Sequence, residues 1–210
     1  MSVRKTIFLV VLIIIYFAGN QTIRGLEWKD DDGGLASAPL VVSQKGKAGF
    51  RRLLSAKTGI EFKNLLDNER SIRNRNLLSG SGVAAGDFDG DGWCDLYFCG
   101  LDNGNRLYRN LGDWKFEDVT ERTGVACAGQ DSTAAGFADV DGDGDLDLLV
   151  NALGRGTRLF RNDGNFKLVE ITTRCGLAST AGSMSMTLAD IDGDGDLDLY
   201  VANFHPTTIK

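Results

Sequence analysis

The sequence has little of what most catalytic centres are built from. It holds one histidine, His205, and four cysteines, Cys94, Cys99, Cys127 and Cys175, in 210 residues. No C-x-x-C occurs, which argues against a zinc or redox site. No G-x-S-x-G elbow or H-E-x-x-H pair is present either, and the lone His205 reads as a surface residue. Prolines number two. No segment after the N-terminal run carries an apolar stripe of helical period, and no second apolar run is long enough to span a membrane. Basic residues are not gathered into a patch interleaved with aromatics, so nucleic acid is not expected as a partner. One stretch, Gly80-Ser81-Gly82-Val83-Ala84-Ala85, matches a dinucleotide fingerprint. It runs into an acidic loop instead of a helix N-terminus, so the phosphate cradle is missing.

What is present begins with an export signal. Arg4 and Lys5 precede an apolar run from Ile7 to Ala18, about the length of a signal-peptide core and short for a membrane span. Residues 1–25 are read as a signal peptide, cleaved between Gly19 and Gly25; an uncleaved N-terminal anchor is the alternative. The chain is therefore expected to be secreted, cell-surface or periplasmic, with no membrane span once the signal is removed. In that setting the four cysteines allow two disulfides in three connectivities. Cys94 and Cys99 are an odd number of residues apart in one strand, so their side chains face opposite ways.

The 27 glycines announce many tight turns. The acidic residues are concentrated. Fourteen of the 29 Asp and Glu lie in residues 87–95, 139–147 and 190–198, leaving 15 acids against 23 bases elsewhere. Three divalent cations would bring the net charge of −6 to about zero.

Those segments belong to an internal repeat. Asp87–Asp95 (DFDGDGWCD), Asp139–Asp147 (DVDGDGDLD) and Asp190–Asp198 (DIDGDGDLD) follow one another at spacings of 52 and 51 residues. A shift of 52 also places Leu107-Tyr108-Arg109-Asn110 on Leu159-Phe160-Arg161-Asn162, and Gly124-Val125 on Gly176-Leu177. Each period reads as four short strands. Small residues come before the loop (83–86, 134–138, 184–189). Alternating runs follow it (95–98, 147–150, 198–201). Third strands are expected at 106–109 and 158–161, and fourth strands at 115–120 and 167–172. Four antiparallel strands per period of about 50 residues match a β-propeller blade. The fold class is all-β: a partial propeller of about two and a half blades, incomplete at the C-terminus. The blades are placed at residues 80–130, 131–181 and 182–210 within a repeat region of 58–210. Residues 26–57 are read as a linker followed by an N-terminal strand at 48–54; with Thr58-Gly59-Ile60 after it, this strand resembles the end of a blade, Phe116 to Thr120 followed by Thr123-Gly124-Val125. The polar stretch 64–76 reads as an insertion.

The loops share D-x-D-G-D-G-x-x-D. Positions 1, 3, 5 and 9 are Asp87, Asp89, Asp91 and Asp95; then Asp139, Asp141, Asp143 and Asp147; then Asp190, Asp192, Asp194 and Asp198. In a curled loop the alternate carboxylates converge, and Gly at positions 4 and 6 permits the positive φ of the curl. Position 7 (Trp93, Asp145, Asp196) is expected to offer its backbone carbonyl. An all-oxygen flexible cage suits Ca²⁺, where Mg²⁺ demands a stricter octahedron and softer metals want His or Cys. About three Ca²⁺ sites are expected. An EF-hand or dockerin reading is disfavoured, because position 12 is Phe98, Val150 or Val201 inside a strand-like run.

The pattern GSGVAAGDFDGDGWCDLYF, NRLYRN, WKFEDVTERTGV resembles the FG-GAP or VCBS repeat of the integrin α-chain propeller. It is similar to exported ASPIC/UnbV-type, cartilage acidic protein-like proteins. The resemblance covers about residues 58–204. It implies a seven-bladed propeller with Ca²⁺ between the first two strands of several blades, on the aspartates named above. The expected function is an exported calcium-binding module for recognition or adhesion, without catalytic residues, whose partner is an unknown protein or carbohydrate. The alternative is a propeller scaffold or accessory domain of an exported enzyme of polysaccharide lyase or phospholipase type.

Overall fold

On either side of each acidic loop, residues alternate between two faces and the chain folds back on itself as a hairpin. The computed structural model describes residues 29–30, 36–37 and 50–204. The signal-peptide segment, the expected strand's first two residues and His205 lie outside them. Among the described residues no helix is long and apolar enough to cross a membrane. The chain divides into two units between Arg51 and Arg52. In the first, within the stretch read as linker, β1 (Lys29–Asp30) pairs antiparallel with β2 (Ala36–Ser37).

The second unit holds the repeats. β3 (Val83–Gly86), β4 (Asp95–Phe98), β5 (Arg106–Asn110) and β6 (Phe116–Asp118) form one four-stranded antiparallel sheet in sequence order. β7 (Ser132–Ala138), β8 (Asp147–Ala152), β9 (Gly156–Asn162) and β10 (Leu168–Glu170) form the second in the same way. β11 (Gly182–Ala189) and β12 (Asp198–Phe204) form a third hairpin. These are two complete blades and the opening half of another. Register places each acidic loop at one end of the first hairpin: Gly86 opposes Asp95, Ala138 opposes Asp147 and Ala189 opposes Asp198.

The fourth strands are shorter than the sequence suggests. Asp118 Oδ1 accepts the Thr120 N–H at 3.0 Å and turns the chain into a helical turn, α1 (Thr120–Thr123), closed by left-handed Gly124. Thr120 Oγ1 then accepts the Leu107 N–H at 2.9 Å; Thr172 Oγ1 does the same for Leu159 at 3.1 Å. Residues 50–54 form no strand. What they precede is a second such turn, α2 (Ser55–Thr58), ending on left-handed Gly59, so the likeness to the end of a blade lies in the turn. The polar stretch 64–76 carries α3 (Asn68–Arg73), capped by Asp67, whose side chain accepts the Arg70 N–H. Arg70 pairs with Asp102 and Asp131, tying this insertion to the first two blades.

Sheet packs on sheet through small residues. A Cβ on Gly82 would come within 2.8 Å of the Ala134 Cα, so the first strands of two blades approach backbone to backbone. The core between them is built from Phe88, Tyr97, Leu107, Val125, Leu148, Val150 and Phe160. β8 is buried along its whole length. The buried Tyr97 hydroxyl donates to the Val125 carbonyl at 2.7 Å and accepts from Asn105 Nδ2 at 2.6 Å, so its burial leaves no polar atom unpaired. All four cysteines are free thiols; burial pushes the Cys99 thiol up to about 12.

Candidate metal centres

Each loop is wound by its own carboxylates. Asp87 accepts the N–H groups of Asp91 (3.1 Å) and Gly92 (2.8 Å). Asp139 accepts those of Gly142 (2.8 Å) and Gly144 (3.0 Å), and Asp190 those of Gly193 (2.7 Å) and Gly195 (3.2 Å). Both glycines of every loop have positive φ, between 71° and 97°. Added Cβ atoms would meet nothing there, so backbone conformation alone demands glycine.

The winding brings three carboxylates together in every loop. Oxygens of Asp87, Asp89 and Asp95 lie within 4.8 Å of one another, as do those of Asp139, Asp141 and Asp147. The third group is Asp190, Asp192 and Asp194. Asp91 and Asp143 fall outside these triads, and so does Asp198. At position 7 the Trp93, Asp145 and Asp196 N–H groups donate to the position-5 carboxylates at 2.9–3.0 Å. The Trp93 side chain is exposed.

Position 9 has a second task. Asp95 Oδ2 accepts the Phe88 N–H at 3.0 Å, and its Oδ1 accepts the Asn110 N–H at 2.7 Å from the third strand. Asp147 repeats this with Val140 (2.9 Å) and Asn162 (2.8 Å). Asp198 holds Ile191 at 2.9 Å. Burial pushes the Asp95 carboxyl up to about 7 and raises Asp147, against the pull of those N–H bonds. Asp89 is also raised, chiefly by burial, with the Arg109 guanidinium acting the other way.

The donor set fits a hard cation. The triads contain only oxygen ligands. Carboxylates this close repel unless a positive charge joins them; at the first loop Arg109 Nε, 2.5 Å from Asp89 Oδ2, supplies part of it. Sequence reasoning found these aspartates. It missed the loop's supports: the backbone N–H groups of Asn110 and Asn162, and Arg109, whose guanidinium lies 2.5 Å from Asp89 and 2.7 Å from Asp91. The repeated Arg-Asn pair was visible as 109–110 and 161–162, but its direction of approach was not.

Aspartate loops recurring at the end of each repeat's first hairpin, in two four-stranded sheets and one two-stranded sheet, define a repeat propeller with a metal-capable turn in each unit. The family model for the FG-GAP-like repeat matches residues 87–150 and 151–201, more than half of the chain, and the chain belongs to that family. It is 29% identical over 128 residues to cartilage acidic protein 1 of Xenopus tropicalis. The match takes in 59% of this chain and 20% of that protein, so the chain spans about a fifth of that relative's length.

Proposed function

We propose that the protein is an exported calcium-binding repeat protein. In this reading its blades form a non-catalytic recognition or adhesion surface, and Ca²⁺ stiffens the loop of each blade. The observation that carries the proposal is the recurrence of a convergent aspartate triad at the same hairpin end in all three sheets. Ca²⁺ takes six to eight oxygen ligands in flexible geometry. A curled loop with glycine hinges, carboxylates and free carbonyls can supply them. Extracellular calcium modules often bind at about 10⁻⁴–10⁻³ M, which a calcium-rich medium saturates. The basic, apolar N-terminal run supports export. Partners are proteins or carbohydrates reached by the loops and turns that join the strands, since connecting loops on a rigid scaffold are where binding residues concentrate.

Calorimetry of the full chain in millimolar Ca²⁺ tests the metal. Heat of binding is expected, and it should vanish when Asp89, Asp141 and Asp192 are replaced together by Ala. A flat thermogram for the unsubstituted chain rejects the reading. For export, the recovered mature chain should begin between residues 20 and 26; recovery of an intact Met1 in the soluble cell fraction rejects it.

A further inference from the structure

The first two loops share a pattern but differ in what their neighbouring arginine does. Arg109 and Arg161 occupy the same place in the repeat, one residue before the end of the third strand. Arg109 turns onto its loop, where Nε lies 2.5 Å from Asp89 Oδ2 and Nη2 lies 2.7 Å from Asp91 Oδ2. The Asp89 side chain is only 7% exposed. Arg161 turns away: its Nε lies 2.7 Å from Asp163 Oδ1, while Lys167 Nζ takes Asp163 Oδ2 at 2.9 Å. The two cations hold the Asp163 carboxyl down at about 2. Two differences accompany this: Arg109 also lies over the Phe166 ring, 5.3 Å from its centroid, and one aligned position has changed. The second repeat has Asp163 where the first has Leu111, an exposed apolar residue with no acceptor to offer. Lacking that acceptor, Arg109 satisfies its charge on the loop itself.

We propose that Arg109 is a built-in counter-cation that competes with the metal at the first loop, so that the three loops fill in a set order with the first loop last. The inference rests on the calcium reading above. A divalent ion entering the first loop must displace a guanidinium already hydrogen-bonded to Asp91 and in contact with Asp89. At the second loop Asp163 holds the arginine, which acts on Asp141 and Asp143 by charge alone, without a hydrogen bond. Position 111/163 thereby tunes metal affinity without touching a ligand.

Trp93 makes the first loop readable alone, since the corresponding positions in the others are Asp145 and Asp196. Tb³⁺, a hard ion that replaces Ca²⁺ in oxygen sites, is titrated into the full chain while indole-sensitised emission and calorimetric uptake are followed; Trp93→Phe assigns the emission. The emission should rise after the other loops have taken up ion. Arg109→Gln and Leu111→Asp should each move its midpoint about tenfold lower, the size of one partly buried charge contact of about 1.4 kcal/mol. Their effects should not add, because Leu111→Asp acts through Arg109. Asp163→Leu should weaken uptake at the second loop by a similar factor. Emission rising first or together with total uptake overturns the proposal. So does an Arg109→Gln variant that binds no better, or a gain from Leu111→Asp that persists without Arg109. No uptake at any loop would sink the calcium reading instead.

Discussion

The second and third acidic loops are nearly the same sequence, DVDGDGDLD and DIDGDGDLD, in different surroundings. In the second, Asp147 is fully buried and both its oxygens accept backbone N–H groups. In the third, Asp198 is exposed and Ile191 is its one partner among the described residues. Leu149 is 1% exposed, whereas its counterpart Tyr200 is 66% exposed. Even the converging triad changes, from positions 1, 3 and 9 to positions 1, 3 and 5. The difference is made by neighbours: β8 lies between β7 and β9, while among the described residues β12 pairs with β11 alone. A loop sequence thus specifies its curl, and the adjoining strand decides whether its last carboxylate is buried and accepts a second N–H.

Substitutions can break this contrast. Asp147→Ala strips the partners from two N–H groups in a buried setting and should cost about 4 kcal/mol, against about 1 for Asp198→Ala. Denaturant unfolding in chelator reads both without metal, and equal costs would refute the contrast. Leu149→Ala should cost about 3 kcal/mol and Tyr200→Ala less than 1, by the same measurement. The blade junctions should differ in the same sense. Gly82→Ala drives a methyl into the Ala134 backbone, whereas Gly136→Ala meets only the flexible end of Met186 at 3.3 Å. About 2 kcal/mol is expected for the first and under 0.5 for the second. A cost of about 1 kcal/mol is expected for Tyr97→Phe. That change removes a hydroxyl that joins Asn105 to the Val125 carbonyl, and the loss should be seen as a lowered midpoint at unchanged slope.

Repeat spacing, hairpin positions and the convergence of three aspartates in each loop could be read from the chain because each is local. A curl needs glycine, and a strand needs alternation. The ends of the fourth strands could not, because Asp118 and Thr120 read equally well as strand residues until Leu107 is seen to use the Thr120 hydroxyl. Residues 48–54 misled for a related reason. Their resemblance to the end of a blade was real at Thr58-Gly59, where a left-handed glycine closes a turn, but among the described residues no strand pairs with 50–54. Arg109 was visible as a residue of the repeat. Its role depends on Leu111, which looks like an unremarkable surface difference until the rotation of two guanidinium groups is compared.

Asn162 sends its amide nitrogen 2.7 Å to the carbonyl of Phe88 and 3.2 Å to that of Leu146. One side chain therefore braces the turns of two blades, across a separation of 74 residues for the first. As the polypeptide leaves the ribosome, Phe88 emerges long before its brace exists. The earlier turn gains this brace only with the next blade in place, so the two turns share one support.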